Sequence, residues 1–434
     1  MANSMPFIIS SVGEYGDDAK NRQLVRRHVM LGKNKGKKRP KRGCRFQPDH
    51  EPDADHPHLD KVPPKLGTDL SFIDFADTVE LSLIGDILKF SRIAKQTFFP
   101  LEPCIAFDKK LKFQQSFVPL THDALYLNAM VFSTQSWFCK GTGREIDKRV
   151  SYHLVKSISL LRDRLMDGGQ ATTSNTTINA VVMLAGQALL MGEAKTAREH
   201  VFGLRRLVEM RGGFGRLKGN VKLVMEVVRM DLSLAMFTGT GPVLRETAST
   251  GIKLPEVKAE ELLQLWLTMH NFTNLINNAT STCHKLPEEL MLGTMTSVMY
   301  RLLTLKFEEL SLNEAMRLGL LAFCSQAFLP WTSVKLPFDV FPDAYSAFLE
   351  AVTDARSIPS GMIMWLLTIG VIALYPPAGC RSERMLSLLR NIIVDSGVTS
   401  WGDMRKTLKE YLWLDLIFDD AAEDLWKRVI QVHE

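Results

Sequence analysis

"TTINAVVMLAGQALLMG", Thr176–Gly192, is apolar on almost every side of a helical wheel. An amphipathic helix shows one apolar stripe, whereas a helix apolar all round belongs at the centre of a body. The segment that follows, "KTAREHVFGLRRLVEMRGG" (Lys195–Gly213), carries such a stripe. Ala197, Val201, Leu204, Leu207 and Val208 recur at three- and four-residue steps, and Gly212-Gly213 ends the run. The pair predicts a central helix followed by an amphipathic one.

The same reading extends in both directions. "THDALYLNAMVFSTQSWFCK" (Thr121–Lys140) opens on Thr121 as its N-cap and stops before Gly141. "REIDKRVSYHLVKSISLLRDRLMDGG" (Arg144–Gly169) sets Val150, Leu154, Ile158, Leu161 and Leu165 on one apolar stripe and ends at Gly168-Gly169. "NVKLVMEVVRMDLSLAMFT" (Asn220–Thr238) continues the series. Further helices are predicted near 257–278, 287–307, 311–328, 340–356, 361–375, 381–395, 401–413 and 416–432. No run of six or more residues alternates with period two, and no fixed 30–45-residue repeat holds. The expected fold is all-α, an irregular multi-helix globular body over residues 61–434.

At 434 residues and 46% hydrophobic, the chain can bury one large core or two ordinary ones. Its six cysteines are scattered and form no CxxC pair, which points to reduced thiols in an intracellular protein. The longest apolar run is "GMIMWLLTIGVIALY", Gly361–Tyr375, bracketed by Pro359, Pro376 and Pro377. Its fifteen residues would span roughly 22 Å as a helix. A bilayer core is about 30 Å thick. The run therefore reads as a buried helix, and no membrane partner is expected.

The net charge of +5 hides an asymmetry. Twelve Lys or Arg and no Asp or Glu lie between Lys20 and Arg45, so the rest of the chain carries −7. The basic run includes "KNKGKKRPKR", Lys33–Arg42. "PDHEPDADHPHLD", Pro48–Asp60, follows with five acids and no Lys or Arg. Residues 1–60 have too few apolar groups for a core and are expected to form a disordered arm, basic and then acidic. A short amphipathic helix over residues 17–33 is the one local exception. The candidate site residues are Arg22, Arg26, Arg27, Lys33, Lys35, Lys37, Lys38, Arg39, Lys41 and Arg42. Their density fits a nuclear-import signal, in which "KRPK" is the core and Arg26-Arg27 allow a bipartite form. The same charges suit phosphate contacts, which position a protein on nucleic acid without reading its sequence. A merely solvating tail is the third reading. With Phe46 the one nearby aromatic, stacking on single strands is not expected.

No catalytic or metal centre emerges. H-E-x-x-H, G-x-S-x-G and the Walker P-loop are all absent from the sequence. "GTGR" (Gly141–Arg144) and "TGTGP" (Thr238–Pro242) follow no strand and read as helix-ending loops. His50, His56 and His58 sit among acids in the arm, without the cysteines of a closed zinc site. His200 and Arg211 lie on one helix, and the histidine reads as structural. Trp137, Trp266, Trp365, Trp401, Trp413 and Trp426 sit in apolar helical contexts and are assigned to core packing. The chain is expected to have no enzymatic activity, cofactor or metal. An apolar, helix-lined pocket for a metabolite stays open as an alternative.

Several of these segments, in this order, resemble the fungal-specific transcription factor family. "PFIISSVGEYGDDAKNRQLVRRHVMLGKNKGKKRPKR" (Pro6–Arg42) resembles the N-terminal signature of a subgroup. "TINAVVMLAGQALLMGEAKTAREHVFGLRRLVEMRGGFGRL" (Thr177–Leu217) resembles the central helix pair and its RGG turn. "VRMDLSLAMFTGTGPVL" (Val228–Leu244), with Asp231 and Pro242, resembles the helix after it. "SWGDMRKTLKEYLWLDLIFDDAAEDLW" (Ser400–Trp426) resembles the closing helices. The family's binuclear zinc cluster needs six cysteines in two tight groups, and Cys44 is the one cysteine in the first hundred residues. The resemblance thus implies an all-helical regulatory domain with a basic arm, located in the nucleus, without the sequence-reading module. Implied partners are the transcription machinery or another DNA-binding regulator, an import receptor, and nucleic acid held non-specifically. The implied role is regulation of a metabolic or secondary-metabolite gene set.

Overall fold

The computed structural model describes residues 69–107, 117–143, 146–217, 219–245, 258–329, 331, 334–355, 358–376 and 379–430, without the side chains of 94–97 and 354–355. All belong to the unit Gly67–Glu434. The ten arm cations, the helix expected over 17–33, Cys44 and the three arm histidines lie outside the described residues.

Fourteen α-helices are present among the described residues, and the fold is all-α. In the first half they are α1 (Leu81–Phe98), α2 (Ala124–Thr142), α3 (Lys148–Asp167), α4 (Asn175–Met191), α5 (Ala194–Met210) and α6 (Val221–Thr238). In the second half they are α7 (Lys258–Thr282), α8 (Glu288–Leu302), α9 (Leu312–Phe328), α10 (Val340–Ala355), α11 (Ser360–Leu374), α12 (Cys380–Asp395), α13 (Trp401–Lys409) and α14 (Asp415–Ile430). Among the described residues the strand content is one two-residue parallel ladder, β1 (Ile105–Ala106) with β2 (Leu286–Pro287).

Each half is built around one helix that is apolar all round. α4 is the run quoted first, buried along most of its length and packed against α2, α5 and α6. α11 is the proline-bracketed run, buried on every side by α9, α10, α12, α13 and α14. No described helix is long and apolar enough to cross a membrane. The stripe predicted for α5 is the buried one: Ala197, Val201, Leu204, Leu207 and Val208 all face the core. α4 and α5 form an antiparallel hairpin closed at its open end by Arg211. Its guanidinium donates to the carbonyl of Thr173 at 3.0 Å and to Asn175 Oδ1 at 2.5 Å.

α6 joins the halves, touching α4 and α5 on one side and α8 and α10 on the other. The fully buried Asp231 sits in its middle and accepts from the amides of Val243 and Leu244 at 2.7 and 2.8 Å. The Tyr300 hydroxyl on α8 donates to it at 2.9 Å. The carboxylate thereby fixes the chain that leaves α6 and pins α8 to it. Burial raises its pKa despite these three donors.

Helix ends follow local chemistry. Ser174, Asn220, Ser311 and Ser400 cap α4, α6, α9 and α13, each side chain accepting a first-turn amide. Two expected ends of α2 are corrected. Thr121 closes a 3₁₀ turn, its hydroxyl donating to the Val118 carbonyl at 2.8 Å, and Asp123 caps the helix instead. Gly141 lies inside α2, which ends at Gly143 in the left-handed region. α13 stops at Lys409, short of the expected 413. The chain leaves the helix there to bury Trp413, whose carbonyl accepts from Asn277 Nδ2 at 2.8 Å and whose indole N–H donates to Asp419 at 2.8 Å.

The stripe expected on α3 is corrected in part: Val150, Leu154 and Leu161 do pack against apolar clusters. Val150 is buried, but Ile158 is 49% and Leu165 46% exposed. His153 and Ser157 point inward in their place. The cause is a polar seam between α2 and α3. His153 Nδ1 lies 2.7 Å from Asn128 Oδ1, whose amide donates to Asp77. Arg164 makes a two-pronged contact with Asp123 at 2.9 and 3.0 Å. Such charge-assisted pairs outweigh one or two apolar contacts and set the rotation of the helix.

Candidate ligand-binding site

The first-half helices do not close completely on one another. α1, α2, α4 and α6 surround a cavity of about 580 Å³. Ligand pockets usually fall between about 300 and 1,000 Å³.

Helical spacing places the wall residues. α4 contributes Asn179, Val182, Met183, Gly186, Gln187 and Leu190, one continuous face at three- and four-residue steps. α2 contributes Tyr126, Met130, Ser133 and Trp137 at the same spacing. Two contacts show that α2 and α4 run in the same direction. Thr176 donates to Asp123 near their N-termini, and Ser133 Oγ donates to the Met183 carbonyl at 3.4 Å further along. One turn beyond that contact stand Trp137 and Gln187. α1 brings Phe90, which meets the rings of Phe98 and Trp137 edge-on at 5.6 and 5.4 Å. At Gly186 an added Cβ would stand 3.4 Å from Met230 Sδ, at the edge of ordinary van der Waals contact between α4 and α6.

Two donors in this wall lack a partner. Gln187 Nε2 and Trp137 Nε1 are both buried and both without a hydrogen-bond acceptor. A buried unpaired donor costs about 1–3 kcal/mol. Such orphans call for a specific physical explanation.

The charged wall residues lie toward solvent. Glu102, Lys222 and Glu226 are half-buried and Lys285 is exposed. Lys285 Nζ donates to the carbonyls of Glu102 and Ile105 at 3.0 and 3.4 Å. Lys222 Nζ sits 5.6 Å from the centre of the Phe99 ring. Beneath the same ring lies the fully buried Arg229, its guanidinium 4.3 Å from the ring centre and donating to the Phe98 carbonyl at 3.0 Å. Burial lowers the Arg229 pKa and raises that of the Tyr126 hydroxyl.

Other residues singled out in the sequence serve the scaffold. His200 is half-buried on α5 with a pKa lowered by burial, and Arg211 closes the hairpin as described. Trp365 and Trp413 are buried in the core, and the indole of Trp365 donates to the Leu412 carbonyl at 2.8 Å. Trp266, Trp401 and Trp426 are partly buried and pack against that core. Trp137 packs against the same core, edge-on to Phe90 and Phe138, and also lines the cavity. Gln187 was missed altogether; its signal was a lone amide in the otherwise apolar "VVMLAGQALLMG". Gly143 and Gly239 end α2 and α6 with left-handed φ of 65° and 69°. The described cysteines, Cys104, Cys139, Cys283, Cys324 and Cys380, are all free thiols.

No family model matches the chain, and no curated protein or solved structure matches it.

Proposed function

We propose that the chain is a nuclear transcriptional regulator or co-regulator that acts through its all-α body. Segregation of charge is the observation that carries the reading. Twelve cations without an acid lie between Lys20 and Arg45, while the rest of the chain, the acidic stretch Pro48–Asp60 included, carries −7. Such an arm suits an import receptor and phosphate backbones, and leaves specificity to the helical body and to a DNA-binding or transcription-machinery partner. The resemblance of Thr177–Leu217, Val228–Leu244 and Ser400–Trp426 to the fungal-specific regulatory domain supports it. The test is a fluorescent fusion in which Lys37, Lys38, Arg39, Lys41 and Arg42 are replaced by Ala. Cytoplasmic retention is expected; unchanged nuclear accumulation overturns the import role. Chromatin immunoprecipitation with transcript profiling of a deletion strain tests the rest. Absence from chromatin together with unchanged transcripts would end the reading.

The cavity favours a second reading, an all-α protein that binds a small molecule. The two unpaired polar groups in its wall are an amide and an indole, neither of which exchanges a proton near neutral pH. This supports binding over turnover. Both readings hold together if the body of the regulator is a sensor.

A further inference from the structure

We infer that the cavity between α1, α2, α4 and α6 binds a neutral ring compound whose carbonyl oxygen accepts from both Gln187 and Trp137. The inference goes beyond the regulatory reading and does not depend on it.

Three features of the wall select this class. The sides are apolar and partly aromatic, with Phe90, Phe98, Met130, Val182 and Leu190 around the void. Rings fill such walls with large contact area and little loss of rotamer freedom. The second feature is the pair of buried, unpartnered N–H groups at one level of two parallel helices. A carbonyl oxygen has two lone pairs, so one atom can satisfy both donors. The third is charge. Neither Gln187 nor Trp137 offers a cation, and the two cations in the lining are engaged elsewhere, Lys222 over the Phe99 ring and Lys285 with the carbonyls of Glu102 and Ile105. A carboxylate there would be buried without a counter-charge, which is costly. A ketone, quinone or lactone meets the donors without that penalty.

Fluorene and 9-fluorenone provide the test, because they share a ring body and differ by the carbonyl. Binding to the full-length protein is measured by titration calorimetry. 9-Fluorenone should bind about tenfold or more tighter than fluorene, as two hydrogen bonds of ordinary net strength give. Gln187→Leu and Trp137→Phe each remove one donor and keep an apolar wall. Each should shrink the preference, and the double variant should bring the two ligands within about twofold while still binding fluorene. Val182→Trp fills the void and should abolish both; circular dichroism of each variant checks that it is folded. Equal affinity of the wild type for the two ligands means that a water already serves the donors, and overturns the inference. So does a preference that survives in the double variant, or no binding of either ligand. Failure here leaves nuclear import untouched, and failure of import leaves the cavity result standing.

Discussion

Lys335 is the residue in which burial, hydrogen bonding and helix polarity act most directly on one charge. Its ammonium donates to the carbonyls of Ile372 and Ala373 at 3.0 and 2.7 Å, at the C-terminal end of α11. Those carbonyls have no partner within the helix, and the negative end of its dipole favours a cation. Burial opposes the charge and pulls the Lys335 pKa down to about 8 from the ordinary 10.5. The sign of the pH effect follows. Below pH 8 the folded and unfolded chains both carry the proton. Between 8 and 10.5 the unfolded chain keeps a proton that the folded chain has shed. Unfolding free energy therefore rises with pH in that window, by at most about 1.4 kcal/mol per unit. Lys335→Met lacks this contribution. Urea titrations from pH 7.5 to 10 should show wild type gaining on the variant as pH rises. A constant or shrinking difference would contradict the assignment. The residue could not be singled out in the sequence, because the carbonyls it serves lie 37 and 38 positions away.

At the scale of single elements, periodicity reads an interface well when the interface is apolar. α4, α5 and α11 are legible because each has one way to hide its aliphatic residues. α3 is legible only in part: Val150, Leu154 and Leu161 pack against clusters that include Leu125, Ala129 and Phe132 of α2, while Asn128 and Asp123 draw His153 and Arg164 inward and leave Ile158 and Leu165 exposed. Nothing within residues 148–167 says that Asn128 and Asp123 stand opposite. The structure consequently predicts an outcome opposite to the sequence reading. Val155 is 67% and Ile158 49% exposed, so replacing both with Lys should cost about 1 kcal/mol or less in urea unfolding. If Ile158 instead faced the core, the same substitution would bury an unpaired charge and cost several kcal/mol. A loss that large would restore the original stripe. The cavity was illegible for a related reason. Phe90, Trp137 and Val182 line a void with the same residue types that fill a core, and the difference depends on how closely α1 approaches α4.

At the scale of the whole molecule, the question is whether two apolar helices make two folding units. Chains beyond about 250–300 residues usually divide their cores. Here the buried residues of α4, α5 and α6 and those of α8 through α14 belong to one continuous cluster. α6 carries that continuity, with Leu232 fully buried and Asp231 tied to Tyr300 across the junction. A shared core couples the halves, because exposing either one strips apolar contacts from the other. Hydrogen exchange in rising urea, followed by mass spectrometry, should therefore show peptides over 178–190 and 362–374 losing protection at the same denaturant concentration. Leu232→Ala removes core volume at the junction and should cost about 2–5 kcal/mol. Its decisive effect is that both midpoints should fall together. A drop confined to the 178–190 peptide, or two midpoints in the wild type, would mean that α6 abuts the second half without being part of its core. Coincident midpoints would also bear on sensing. A ligand seated against α4 and α6 would then stabilise the distant α11 by the same amount, since the folded state to which it binds is shared by both halves.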